Sequence, residues 1–124
     1  MGKYLIKVDS VQKKVNIEVT GKFSYEEGNN FVSEFRTKTS NMITSSYDFE
    51  CKCIGLNIAD AESLPSLEAA FSEYKQCEFK SYKMIVEPDK KSKTLTTSAG
   101  LVKSQLGRLS RKSGLPDMEI IVVD

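Results

Sequence analysis

Apolar residues recur along this chain with two alternating periods, and the order of these periods constrains the fold more than any other feature. Period two with a polar opposite face is typical of a half-buried strand, whereas spacings of three and four are typical of a helix. The first pattern is carried by Val15, Ile17 and Val19. The second is clearest at Leu95, Ala99, Val102, Leu106 and Leu109. Along the whole chain the two periods predict the order β-β-α-β-α-β-α-β.

The predicted strands cover residues 4–9, 14–20, 47–58, 79–86 and 118–123, with helices between the later ones. A capping box from Ser24 to Glu27 begins the first helix, and Pro65 fits the first turn of the second. Gly114 is the predicted C-cap of the third helix, since Pro116 prevents its continuation. Helices that alternate with strands imply right-handed crossovers and a mostly parallel sheet, with an antiparallel first strand at or near an edge. We therefore expect one α/β domain over residues 1–124.

The chain contains no histidine, which excludes serine–histidine and cysteine–histidine nucleophiles. The turns between strands and helices carry neither G-x-G-x-x-G nor G-x-x-x-x-G-K-[ST], so a phosphate-binding loop is not indicated. The sequence accordingly predicts no catalytic residues, no cofactor and a function other than catalysis.

Three cysteines, Cys51, Cys53 and Cys77, are present, and no long apolar segment follows the N-terminus. An odd number of cysteines without a secretion signal indicates reduced thiols and a cytoplasmic location. Cys51 and Cys53 lie two residues apart in a predicted strand, so both face the same side. A zinc site would need two further ligands, and we expect buried thiols rather than a metal site.

Charge is distributed unevenly along the chain. Residues 48–78 contain seven acids against two lysines, and residues 89–114 contain seven bases against one acid. The bases are Lys90, Lys91, Lys93, Lys103, Arg108, Arg111 and Lys112. A basic patch at Lys103, Arg108, Arg111 and Lys112 is one interpretation, and a solvated helix face is the simpler one. Nucleic acid and acidic lipid are less favoured partners than protein, because the net charge is only +1 and no aromatic residue lies among these bases.

A turn after the third predicted strand places one acid and two hydroxyls together, at Asp60, Ser63 and Ser66. In open α/β sheets, ligands and partners bind at the carboxyl ends of strands, so these three residues are the predicted binding site. A phosphate on either serine would lie near a helix N-terminus, where its charge is favoured. The simpler interpretation is that Ser63 caps the helix and Asp60 is a turn residue.

The leading hairpin, the alternating elements and the serine-bearing turn resemble the STAS domain of bacterial anti-sigma-factor antagonists. Residues 56–60 align with the strand and aspartate of that family, and Ser66 falls where its phosphorylatable serine lies. Pro65 and Leu67 depart from the Asp-Ser-Ser-Gly signature of the family. The resemblance implies a non-catalytic regulatory module that binds a protein partner. The alternative is a structural protein of a bacteriophage or mobile element, whose acidic and basic stretches dock between copies.

Overall fold

The computed structural model describes residues 3–20, 25–55, 63–87 and 99–123, and five strands and three α-helices lie within them. The strands are β1 (Lys3–Asp9), β2 (Lys14–Thr20), β3 (Asp48–Ile54), β4 (Ser81–Glu87) and β5 (Glu119–Val122). The helices are α1 (Tyr25–Thr39), α2 (Ser63–Cys77) and α3 (Ala99–Lys112), with a 3₁₀ turn at Thr44–Ser46. The predicted α/β class and the predicted order of elements are confirmed.

The five strands form one sheet in the order β1-β2-β3-β4-β5. The pairing of β1 with β2 is antiparallel, and the three later pairings are parallel. The sheet is therefore mixed, and the expectation of a mostly parallel sheet is confirmed only in part. As predicted, the antiparallel strand β1 lies at an edge.

This sequential order places α1, α2 and α3 on one face of the sheet, because three right-handed crossovers that advance in the same direction all pass over the same side. The buried residues agree with this arrangement. Ile6, Ile17, Cys51, Met84 and Ile120 form one row across all five strands, and every member is buried. The molecule thus has two layers, and the second face of the sheet is not covered by these helices.

Aromatic rings fill the space between the helices and the sheet. The ring of Phe35 from α1 lies 5.2 Å from that of Tyr74 from α2, measured between centroids. Phe49 of β3 lies 4.4 Å from Tyr74 and 5.3 Å from Phe79. Edge-on and tilted aromatic contacts add to the free energy of burial, so this cluster fixes α1 and α2 on the sheet.

Two element boundaries differ from the sequence prediction. The strand predicted over residues 47–58 ends at Ile54, because Gly55 has a φ of +72° that no strand residue adopts. Residues 56–58 lie outside the described part of the chain. Ser63 and Ser66, predicted to lie in a turn that starts at Asp60, belong to α2, which begins at Ser63. Pro65 falls in the first turn of α2, as predicted.

The described helices include none that is both long and apolar enough to cross a membrane.

Candidate binding surface between α3 and β5

Helix α3 packs on the sheet through Leu106 and Leu109, and its C-terminus is fixed by a glycine. Gly114 has a φ of +85°, a backbone conformation that favours glycine. The amide of Leu115 then donates a 2.7 Å hydrogen bond to the carbonyl of Ser110. This arrangement is a Schellman motif, and it confirms the predicted C-cap. It also turns the chain sharply, so that residues 116–118 lead directly into β5.

A groove of about 470 Å³ lies between α3 and this connecting segment. Lys103, Gly107 and Arg111 are spaced four apart, so they share one side of the helix and line the groove together. A Cβ atom on Gly107 would lie 3.4 Å from Nη1 of Arg111, so the guanidinium folds back across the glycine. The apolar residues that line the groove are Pro116, Met118 and Ile120.

The four bases predicted as one patch have different neighbours, and their role as a binding patch stays a prediction. Lys112 faces α2, where its Nζ lies 3.8 Å from Oε1 of Glu68. Arg108 is exposed but does not line the groove. Lys103 and Arg111 line it, and neither forms an ion pair with any residue that the structure describes. The groove therefore presents, beside an apolar surface, two positive charges that have no ion-pair partner among the described residues.

Three of the seven acids in residues 48–78 form ion pairs within the chain. Glu50 pairs with Lys14 at 3.3 Å, and Glu68 pairs with α3 as described above. Glu73, nearly buried on α2, accepts two hydrogen bonds from the Arg36 guanidinium of α1, and this raises the pKa of Arg36. These three acids are already paired within the chain, and the head-to-tail association of copies stays a prediction.

The predicted turn site lies only partly within the described residues. Asp60 is outside them. Ser63 and Ser66 belong to the first turn of α2, and their side chains are not described. The binding role of these three residues therefore stays a prediction. Ser24, the first residue of the predicted capping box, also lies outside the described residues.

The cysteines are free thiols, as expected from the sequence. Cys51 and Cys53 are buried with their Sγ atoms 3.8 Å apart, and this contact, together with burial, raises the pKa of Cys51 well above its ordinary value. Burial also raises the pKa of Cys77, whose Sγ lies 3.8 Å from Oγ1 of Thr39. Since the thiolate is the reactive form, Cys51 and Cys77 are poor nucleophiles at neutral pH. No cluster of three or more metal-ligating side chains occurs among the residues described.

The uncovered face of the sheet carries a lattice of alternating charges. Wherever two charged residues are opposite each other on this face of the five described strands, their signs differ. These pairs are Asp9 with Lys14, Lys14 with Asp48, Glu18 with Lys52, Glu50 with Lys83, and Lys83 with Glu119. Lys52 also lies 3.4 Å from Glu87. Opposed charges stabilise cross-strand pairs and keep a sheet face solvated, so most of this face is a water-facing surface.

Comparisons with protein families, with curated proteins and with solved structures find no match to this chain. The resemblance to STAS domains therefore stays a prediction.

The sequence predicts the basic side of the groove but not its apolar side. Charge alone points to Lys103 and Arg111. Periodicity places Met118 and Ile120 in a strand, and Pro116 marks only the end of a helix. The four-residue spacing around Gly107 signals a shared helix side, but the apolar residues become part of a site only once β5 is known to lie beside α3.

Proposed function

We propose that this protein is a non-catalytic, cytoplasmic interaction module of the regulatory kind represented by STAS domains. An acidic segment of a partner protein binds in the groove between α3 and β5. The observation that carries this proposal is the pair of uncompensated charges, Lys103 and Arg111, on either side of Gly107 and next to the apolar groove residues.

Three physical features support an acidic protein segment as the partner. Glycine at position 107 leaves the middle of the helical wall without a side chain of its own, so the Arg111 guanidinium can lie across it and face a bound chain. Arg111 has a planar guanidinium that binds a carboxylate through two hydrogen bonds. The apolar side of the groove, formed by Pro116, Met118 and Ile120, packs against the methylene groups of glutamate side chains, which a nucleic-acid backbone does not have.

A fluorescence anisotropy titration tests this proposal, with a labelled short peptide in which Glu and Val alternate. We expect the double variant Lys103→Glu with Arg111→Glu to bind about tenfold more weakly, because exposed charge pairs contribute up to about 1 kcal/mol each. Raising the salt concentration should also weaken binding by the natural protein, since exposed charges are screened.

The matched control is the double variant Lys3→Glu with Lys7→Glu, on exposed positions of β1. It changes the net charge by the same amount, far from the groove, and should bind the peptide as the natural protein does. An equal loss in both double variants, or no binding of the peptide at all, would contradict the proposal. Stronger binding of duplex DNA or of phosphatidylserine vesicles, lost in the groove variant, would favour nucleic acid or acidic lipid instead.

A further inference from the structure

Strand β5 has the composition of an interior strand but lies at an edge of the sheet. Ile120 and Val122 face the helices, while Ile121 and Val123 face the uncovered side. Strands that are apolar on both faces are typical of positions covered on both sides and paired on both edges. Val123 is 42% exposed, so part of this apolar surface is in contact with water.

The opposite edge of the sheet is protected in the usual way. On its uncovered side, β1 carries the charged residues Lys3, Lys7 and Asp9, with Leu5 between the lysines. Charges on an edge strand, lysines above all, oppose the addition of another strand. The described part of β5 carries one charge, on Glu119, and none along Ile120–Val123. The two edges of one sheet thus differ in their capacity to accept a strand.

The free edge of β5 also offers backbone hydrogen-bonding groups. The amide of Val123 donates a 2.8 Å hydrogen bond to the carbonyl of Val86 in β4. Because successive peptide groups in a strand point to opposite sides, the amides and carbonyls of Ile120 and Val122 point away from β4. Within the described residues, no further strand lies beyond them.

The positive charges next to this edge distinguish between two possible binding partners, a second copy of the protein and an acidic chain. An antiparallel pairing of β5 with β5 of a second copy would keep both α3 helices on the same face of the joined sheet. Lys103 and Arg111 of one copy would then approach the same bases of the other, which is unfavourable. An acidic chain placed at the same edge would compensate these charges.

We infer that β5 binds its partner by strand addition, and that the partner segment is extended, with acidic residues alternating with apolar ones. Its acidic side chains face Lys103 and Arg111 of α3, and its apolar side chains extend the row formed by Ile121 and Val123. Main-chain hydrogen bonds to Ile120 and Val122 supply affinity, and the alternation supplies specificity. This inference rests on the proposed function and specifies the mode of binding in the same groove.

The test compares the alternating Glu–Val peptide with a block peptide of the same composition, in which all Glu residues precede all Val residues. We expect the block peptide to bind about tenfold more weakly, because it cannot present acids to one face and apolar groups to the other. Alternating peptides are then N-methylated on either of the two alternate sets of amides. One set should lose binding by about tenfold or more, since its amides face β5, and the other should not.

Hydrogen exchange of the full protein supplies an independent readout. Addition of the alternating peptide should slow exchange at the amides of Ile120 and Val122, which have no strand partner among the described residues. If both peptides and both methylated sets bind equally, and these amides do not change, strand addition is wrong while the groove proposal stands. If no acidic peptide binds, both proposals fail. A stable dimer joined through β5 in light scattering would show instead that the occupant is a second copy.

Discussion

Tyr74 lies where the aromatic core meets the two strand cysteines. Its ring packs between Phe35 and Phe49, and its pKa is raised well above the ordinary value, chiefly by burial. Negative charge on Cys51 or Cys53 would raise it further. Its neighbour Cys51 also retains its proton in the folded state. The folded protein therefore holds protons at groups that would release them readily once exposed to water.

These groups predict that the free energy of unfolding decreases as the pH rises above about 8.5, the ordinary pKa of a cysteine thiol. Above that pH the unfolded chain binds fewer protons than the folded one, so stability falls with pH; below it these groups contribute no slope. Urea unfolding across this range measures the effect. Cys51→Ala should give a shallower decrease because one such thiol is lost, and an unchanged slope would contradict the assignment.

At the scale of the element, two glycines, one inside α3 and one just after its end, have opposite requirements. Gly107 lies inside the helix, where its only close neighbour is the mobile end of Arg111. Gly114 has a positive φ, and a Cβ there would lie 3.1 Å from Cε of Lys75. The helix could therefore accept a side chain at position 107, whereas a side chain at position 114 would be strained.

We expect Gly107→Ala to stabilise the fold by about 1 kcal/mol, since alanine is the better helix former. Gly114→Ala should destabilise it by about 1–2 kcal/mol, because a side chain is strained in the left-handed region. Urea midpoints at equal m-values measure both changes. Each variant serves as the control for the other, because both make the same chemical change in one helix. Equal shifts of the same sign would be inconsistent with this description of α3.

How much of the structure can be predicted from the sequence also differs from one element to the next. Gly114 and Pro116 act locally, so the end of α3 could be predicted from them. The end of β3 could not, because Leu56 and Ile58 continue the apolar character of Ile54 and only the backbone conformation of Gly55 marks the boundary. The order of strands, and therefore the groove, depends on contacts between distant segments. Periodicity places Ile120 in a strand but does not say whether that strand lies inside the sheet or at its edge.

At the scale of the whole molecule, one face of the sheet is packed under helices and the other carries the charge lattice. Near one corner of that second face the lattice gives way to Ile54, Ile85 and Ile121, which are half-buried. Lys52 and Lys83 separate this apolar corner from the rest of the face. Contiguous apolar patches above a few hundred Å² are typical of association surfaces, so these lysines limit the size of the patch.

The double variant Lys52→Ile with Lys83→Ile should therefore self-associate, because it joins the apolar corner to the centre of the sheet. Light scattering during size-exclusion chromatography measures the mass. The matched control is Lys52→Thr with Lys83→Thr, which removes the same charges with a polar residue that also favours strands. Association of the threonine variant to the same extent would mean that charge loss alone is sufficient, and that patch area is not the cause.

The sequential strand order has a consequence for how the protein is made. A ribosome releases the β1–β2 hairpin first, and every later strand then joins an edge that the emerging chain has already completed. No strand has to be inserted between two that are already paired. Each helix folds over a surface that its own flanking strands provide. The parallel pairings join residues 33 to 36 positions apart, such as Lys14 with Asp48, so each new strand can pair only after its whole crossover has been made. Assembly can therefore follow the order of translation from one side of the sheet to the other.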